Sequence, residues 1–132
     1  IHVDLGEQTL VAYEGDKPVY ATVISSGKEG YEPPTGLFEV QQKYISTTMN
    51  ATDPIDGFYE VEEVPWTLYY HGGYALHGAY WHTDFGKVRS HGCTNIAPVD
   101  ARWIYYWSDP EVPPAWHAVR FQPDTTWVYF TS

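Results

Sequence analysis

Ser90-His91-Gly92-Cys93 holds the only cysteine of this chain, and a second His-Gly pair, His77-Gly78, begins 16 residues before it. One thiol cannot close a disulfide within the chain or build a cysteine-rich metal site. It can be a small buried hydrophobe, or it can be a nucleophile. A cysteine nucleophile needs a base to take its proton and backbone N–H groups to hold the charge that develops on the attacked carbonyl. Both needs have candidates here. His77 and His91 are imidazoles with the right intrinsic proton affinity. The N–H groups of Gly92 and Cys93 are natural oxyanion donors, and glycine at 92 lets a reacting carbonyl approach the main chain. The hydroxyl of Tyr69 or Tyr70 is a possible third donor. The chemistry this predicts is acyl transfer through a thioester on Cys93, with a histidine serving the leaving group.

Ser90-His91-Gly92-Cys93-Thr94-Asn95, together with His77-Gly78, resembles the signature of the L,D-transpeptidase family (YkuD-like domains), bacterial cysteine enzymes of peptidoglycan. The spacing of 12 residues between His77 and Ser90 fits, as does Asn95, while Thr94 stands where the family has a hydrophobic residue. Val23-Ile24-Ser25-Ser26-Gly27, Pro33-Pro34-Thr35-Gly36-Leu37-Phe38 and Asn95-Ile96-Ala97-Pro98 extend the likeness in the expected order over nearly the whole chain. The resemblance implies that Cys93 is the nucleophile and His77 the proton donor and acceptor. The Gly78 carbonyl would orient His77, and His91 would support the site rather than act as a second base. It implies a donor tetrapeptide stem, cut after the L-centre of its third residue with loss of D-alanine, and an amine acceptor giving a 3→3 cross-link. It implies a place outside the cytoplasmic membrane, no cofactor, and peptidoglycan stem peptides as partners.

The other site candidates are weaker on the sequence alone. Ser90 and Asn95 flank the cysteine and can bind substrate or brace the loop. Tyr80 and Trp81 follow His77 and can line a groove, although aromatic residues in this chain serve the core as readily. No aspartate follows His77 within a few residues; Asp84 is the nearest, in a stretch, His82-Thr83-Asp84-Phe85-Gly86, that reads as a turn. His77, His82, Asp84, His91 and Cys93 could also ligate a metal, but their spacings match no familiar zinc pattern. Rival functions use the same residues or none of them. An L,D-carboxypeptidase or endopeptidase would resolve the thioester with water. A non-catalytic wall-binding module would suit the aromatic content and would not need Cys93.

A chain of 132 residues suits one domain, read here as 1–132 and as excised from a longer exported protein. Its net charge of −10, from 17 acidic and 7 basic residues, disfavours a nucleic-acid partner and a polybasic hold on a membrane surface. No apolar run approaches the roughly 20 residues that span a bilayer. Oligomeric state is not legible in the sequence. With 12 Tyr and 6 Trp the chain favours strands.

The elements that must position the site follow from periodicity. Ile1, Val3 and Leu5 alternate with polar residues, and Leu10–Tyr13 and Val19–Ile24 flank a turn at Glu14-Gly15-Asp16-Lys17-Pro18. Gly36–Tyr44 and Phe58–Val64 read as strands, and Tyr69–Leu76 as either a broken strand or a strand near a ligand. Trp116–Phe121 and Thr126–Thr131 close the chain. Ser25–Pro34 and Ser46–Gly57 read as loops. Pro98–Ser108 is the one helix, with Pro98 at its first position, Asp100 favouring the dipole and Val99, Trp103, Tyr106 and Trp107 as its apolar face. Asp109-Pro110 ends it. The expected class is mainly β, a β-sandwich-like domain with one principal helix after the cysteine segment.

Overall fold

The computed structural model describes residues 1–132 except 54–56, 91 and 121–123, and gives no side chains for 51–59. Ten strands and one helix follow in chain order among the described residues. Alternating burial marks β1 (His2–Asp4) and β2 (Thr9–Glu14), and a turn leads to β3 (Lys17–Ser25). Then come β4 (Gly36–Glu39), β5 (Gln42–Asp53), β6 (Gly57–His71), β7 (Tyr74–Gly78) and β8 (Thr94–Ile96). Helix α1 (Pro98–Trp107) precedes β9 (Ala118–Arg120) and β10 (Trp127–Thr131).

The strands form one sheet in the order β4-β10-β1-β2-β3-β8-β7-β6-β5-β9. It is mostly antiparallel, with parallel pairings of β1 to β10 and β7 to β8. The sheet curls back on itself. Phe38 of β4 and Phe130 of β10, near one edge, pack their rings against Tyr70 of β6, near the other. The enclosed core contains Val3, Leu10, Ile24, Leu68, Leu76 and Ile96. This is the expected mainly β, sandwich-like architecture with one helix.

Two expectations need correction. Ser46–Gly57 is no loop where the structure describes it: residues through Asp53 belong to β5, which pairs with β6 from Gln42↔Tyr69 to Asp53↔Gly57. Thr, Ser and Asn give this segment little apolar periodicity, and long-range pairing supplies what local propensity does not. The helix also buries a partly different face. Ala101, Ile104 and Tyr105 enter the core, at i, i+3 and i+4, whereas Val99 and Tyr106 are exposed. Trp103 and Trp107, as expected, pack partly buried against the core, and they extend a ladder of stacked rings from Tyr20 of β3. Tyr20 donates to Asp100, which raises the phenol to about 12.

The end of α1 is closed by a buried cation. Lys43, 1% exposed, donates from Nζ to the carbonyls of Tyr105 and Ser108, satisfying acceptors a helix C-terminus leaves open. Burial lowers its ammonium to about 8, with Asp109 and Glu111 opposing. No helix of the described residues is long and apolar enough to cross a membrane.

Candidate active site

Strand register brings the two central residues together. In the parallel β7–β8 pair, His77 lies opposite Asn95 and Leu76 opposite Thr94. Side chains alternate along a strand, so His77, Asn95 and Cys93 share one face, while Leu76 and Thr94 point into the core. Gly78, at the end of β7, is where the strand passes β6 and α1. A Cβ there would meet Pro65 Cγ at 3.0 Å and Ala101 Cβ at 3.4 Å.

The segment before Cys93 is held by a clamp that no motif reading singled out. Arg89 and Ser90 donate their N–H groups to the Ser26 carbonyl at 2.9 and 3.0 Å, and Lys28 N–H donates to Ser90 O at 2.9 Å. Gln8, 5% exposed, fixes Ser26 in turn. Its Nε2 donates to Ser26 Oγ at 2.7 Å, and its Oε1 accepts the Ser26 N–H at 2.9 Å. Gly27 permits the close approach. A Cβ there would sit 1.8 Å from the Tyr31 carbonyl oxygen and 3.0 Å from Gly92 Cα. Ser90 closes the turn itself, donating from Oγ to Cys93 O and accepting the Gly92 N–H at 3.2 Å.

The Gly92 N–H is thus directed to Ser90 within its own turn. Glycine at 92 also has a steric reason. Its φ is +130°, and a Cβ would lie 2.8 Å from the Tyr74 ring.

His77 is 2% exposed. Its Nδ1–H donates to Gly78 O at 2.9 Å, so the neutral ring carries its lone pair on Nε2. Burial lowers the imidazole to about 4; the Gly78 bond opposes this and His82 adds to it. Cys93 is of intermediate exposure. Burial pushes its thiol up to about 11, against a backbone hydrogen bond from Ala75. The Sγ–H donates to Gly73 O at 3.5 Å. Both shifts favour the neutral forms, thiol and imidazole.

Cys93 and His77 line a cavity of about 770 Å³. Thr48, Met49 and Asn50 of β5 form one wall with Val61 and Tyr69 of β6; Gly73, Tyr74, Trp81, Arg89, Ser90 and Asn95 complete it. The β5 residues, Val61, Gly73, Tyr74 and Arg89 were not site candidates from the sequence; strand pairing delivers the β5, β6 and β7 residues, while Gly73 comes from the β6–β7 turn and Arg89 from the loop before Cys93. Tyr69 is half-buried, and that burial raises its phenol while a hydrogen bond with Thr47 opposes the rise. Trp81 is 37% exposed, its ring centroid 5.7 Å from that of His77.

Two tyrosines lie apart. Tyr70 is fully buried against Phe130, outside the cavity lining, with its phenol raised by desolvation and its hydroxyl without a partner among the described residues. Tyr80 turns outward and donates from Oη to Glu62 O at 2.6 Å. His91 lies outside the described residues. His82 and Asp84 sit on the loop after β7. Among the described residues no group of three or more His, Cys, Asp or Glu side chains converges as a metal site.

The sequence matches the family model described as the L,D-transpeptidase catalytic domain over residues 1–128. Among solved structures the chain is similar to the Ldtfm–avibactam carbamoyl enzyme, at 26% identity and a TM-score of 0.78, covering 99% of this chain and 47% of that one. An Enterococcus faecium L,D-transpeptidase, solved as a cysteine-to-serine mutant, is 24% identical with a TM-score of 0.78, covering 98% and 48%. L,D-transpeptidase 3 from Mycobacterium tuberculosis, with a faropenem-derived adduct, is 19% identical with a TM-score of 0.73, covering 99% and 59%. The chain thus spans about half the length of these proteins. A comparison with curated proteins finds no match.

Proposed function

This chain belongs to the L,D-transpeptidase catalytic domain family, and we propose that it is a cysteine acyltransferase acting on peptidoglycan stem peptides outside the cytoplasmic membrane. The observation that carries this reading is the shared face of Cys93 and His77 in one cavity, with the Gly78 carbonyl fixing the His77 tautomer.

The reaction starts from the neutral pair. As Sγ of Cys93 attacks the carbonyl at the L-centre of the third stem residue, its proton passes to Nε2 of His77. The charge on the carbonyl oxygen is met by the Cys93 N–H, with the Tyr69 hydroxyl as a further donor on the facing wall. The C–N bond then breaks, His77 returns the proton to the departing amine, and D-alanine leaves a thioester on Cys93. An acceptor amine on a second stem attacks, loses its proton to His77, and the C–S bond breaks with Sγ reprotonated. No metal or organic cofactor takes part. Ser90 acts by holding the nucleophile turn, and His91 is assigned a supporting electrostatic role.

Burial suits this sequence of events. It disfavours a standing thiolate–imidazolium pair and makes the nucleophile only when a carbonyl engages the cavity. The test is incubation with disaccharide-tetrapeptides and mass analysis of the products. Dimers that have lost one D-alanine support transfer. Tripeptides alone place the chain among L,D-carboxypeptidases, and unchanged substrate refutes the reading.

A further inference from the structure

A chain of hydrogen bonds beside Cys93 has no part in the reaction just described. Both ring nitrogens of His82 are engaged. Nδ1 faces the backbone N–H of Asp84 at 3.0 Å, and Nε2 lies 2.9 Å from the side-chain amide of Asn95, at its Nδ2 position. A backbone N–H can only donate, so Nδ1 must accept. The neutral ring then carries its proton on Nε2, and Nε2 must donate. The Asn95 atom it meets has to be an acceptor. The two ends of an amide are interchangeable in shape, so hydrogen bonding decides between them, and here it places Oδ1 on His82. Burial and the nearby Arg89 hold the imidazole below its usual value, with Asp84 opposing, which favours the neutral ring.

With Oδ1 held, the NH2 group of Asn95 is left for the cavity. Asn95 is 2% exposed and lines that cavity two residues from Cys93 on the same face. A second donor also lines the cavity. Among the described residues Arg89 is the only formally charged one of the lining, in a chain of net charge −10. Its Nη1 donates to the Asp84 carboxylate, and a guanidinium has further N–H donors to offer. Among the described residues the lining holds no carboxylate to compete for them. Two convergent donors, one of them cationic, suit a carboxylate better than a neutral carbonyl.

We propose that Asn95 Nδ2 and the Arg89 guanidinium form a carboxylate-recognition subsite beside Cys93, with His82 and Asp84 as its positioning residues. The proposal rests on the acyl-transfer reading, in which the departing D-alanine bears a free carboxylate next to the scissile amide.

Two measurements test it. Long-range ¹H–¹⁵N spectra of the unmodified protein read the tautomers directly: His82 should be protonated at Nε2 and His77 at Nδ1. A His82 ring protonated at Nδ1 overturns the positioning argument. Steady-state kinetics then compare a tetrapeptide donor ending in a free carboxylate with its C-terminal carboxamide. Wild-type kcat/KM should favour the acid by about tenfold or more, because hydrogen bonds to a charged group are worth that much. Arg89→Gln and Asn95→Ala should raise KM for the acid and remove the preference. His82→Gln, which keeps one acceptor and one donor, should retain it, and His82→Ala should lose it. Equal use of acid and carboxamide by the wild type overturns the subsite and leaves acyl transfer standing. Turnover of neither donor overturns both.

Discussion

Gly27→Ala tests how the nucleophile is positioned, from a residue with no chemistry of its own. The new Cβ would lie 1.8 Å from the Tyr31 carbonyl oxygen, 2.7 Å from its carbon and 3.0 Å from Gly92 Cα. All three are backbone atoms, so no side chain can swing aside. The segment of Ser26 and Gly27 must separate from Tyr31, from Gly92, or from both. Overpacking of this kind costs about 1–3 kcal/mol. For 132 residues, at about 2.1 cal/mol/K of unfolding entropy each, Tm should fall by roughly 4–11 °C. The effect on rate should be larger. Gly27 bridges to Ser90, and the Ser26 carbonyl holds the Arg89 and Ser90 N–H groups, so the displacement is passed to the Cys93 turn. A misplacement of about 1 Å costs on the order of 10²-fold in rate. Gly6→Ala is the control. Its Cβ would meet Asp4 Oδ1 at 3.4 Å, an ordinary contact with no backbone of the Cys93 turn. The assays are thermal unfolding and D-alanine release from a tetrapeptide. Gly27→Ala with wild-type Tm and rate would refute the reasoning, and a fall in Tm without loss of rate would show that the clamp does not position Cys93.

Three further outcomes follow from the same geometry. His77, lowered to about 4, stays a competent base well below the usual histidine range, so the acid limb of kcat/KM should lie near pH 4. A limb near 6.5 would refute the buried neutral ring; rates must be read on folded protein, because the unfolded chain protonates this histidine first and stability is lost from about pH 6.5 down to 4. Lys43, lowered to about 8, binds its proton more weakly folded than unfolded, so wild type should gain stability relative to Lys43→Met as pH rises from about 8 to 10.5. A Tm difference that stays constant over that range would show that the ammonium is not desolvated. A carbapenem should give a single adduct by intact-protein mass spectrometry, mapped to Cys93 and missing in Cys93→Ala; an adduct that persists in the variant would place the reactive group elsewhere.

What was legible in the sequence was chemistry and the local elements near it. The lone thiol, the two His-Gly pairs and the family resemblance single out Cys93 and His77, which line one cavity, and Pro98 and Asp100 suffice to start α1. The cavity wall opposite them was hidden. Thr48, Met49 and Asn50 look like loop residues because their strand is stabilised by pairing with β6 and not by an apolar face. Strand β8 is three residues inside the motif itself, too short to show a period. Gln8 gave no sign of its role, since one buried amide holding Ser26 needs partners 18 residues away. The helix face was read half correctly: Trp103 and Trp107 do pack against the core and stack toward Tyr20, while Val99 and Tyr106, which fit the same period, are exposed.

The central claim is that Cys93 carries the acyl group. The most direct measurement mixes the protein with a tetrapeptide donor in the absence of an acceptor and quenches in acid at short times. Intact mass, peptide mapping and released D-alanine are read from the same samples. The account predicts a tripeptidyl thioester on Cys93, formed in step with D-alanine and absent in Cys93→Ala. D-alanine released by Cys93→Ala at the wild-type rate, or an acyl group mapped to any other residue, would contradict it.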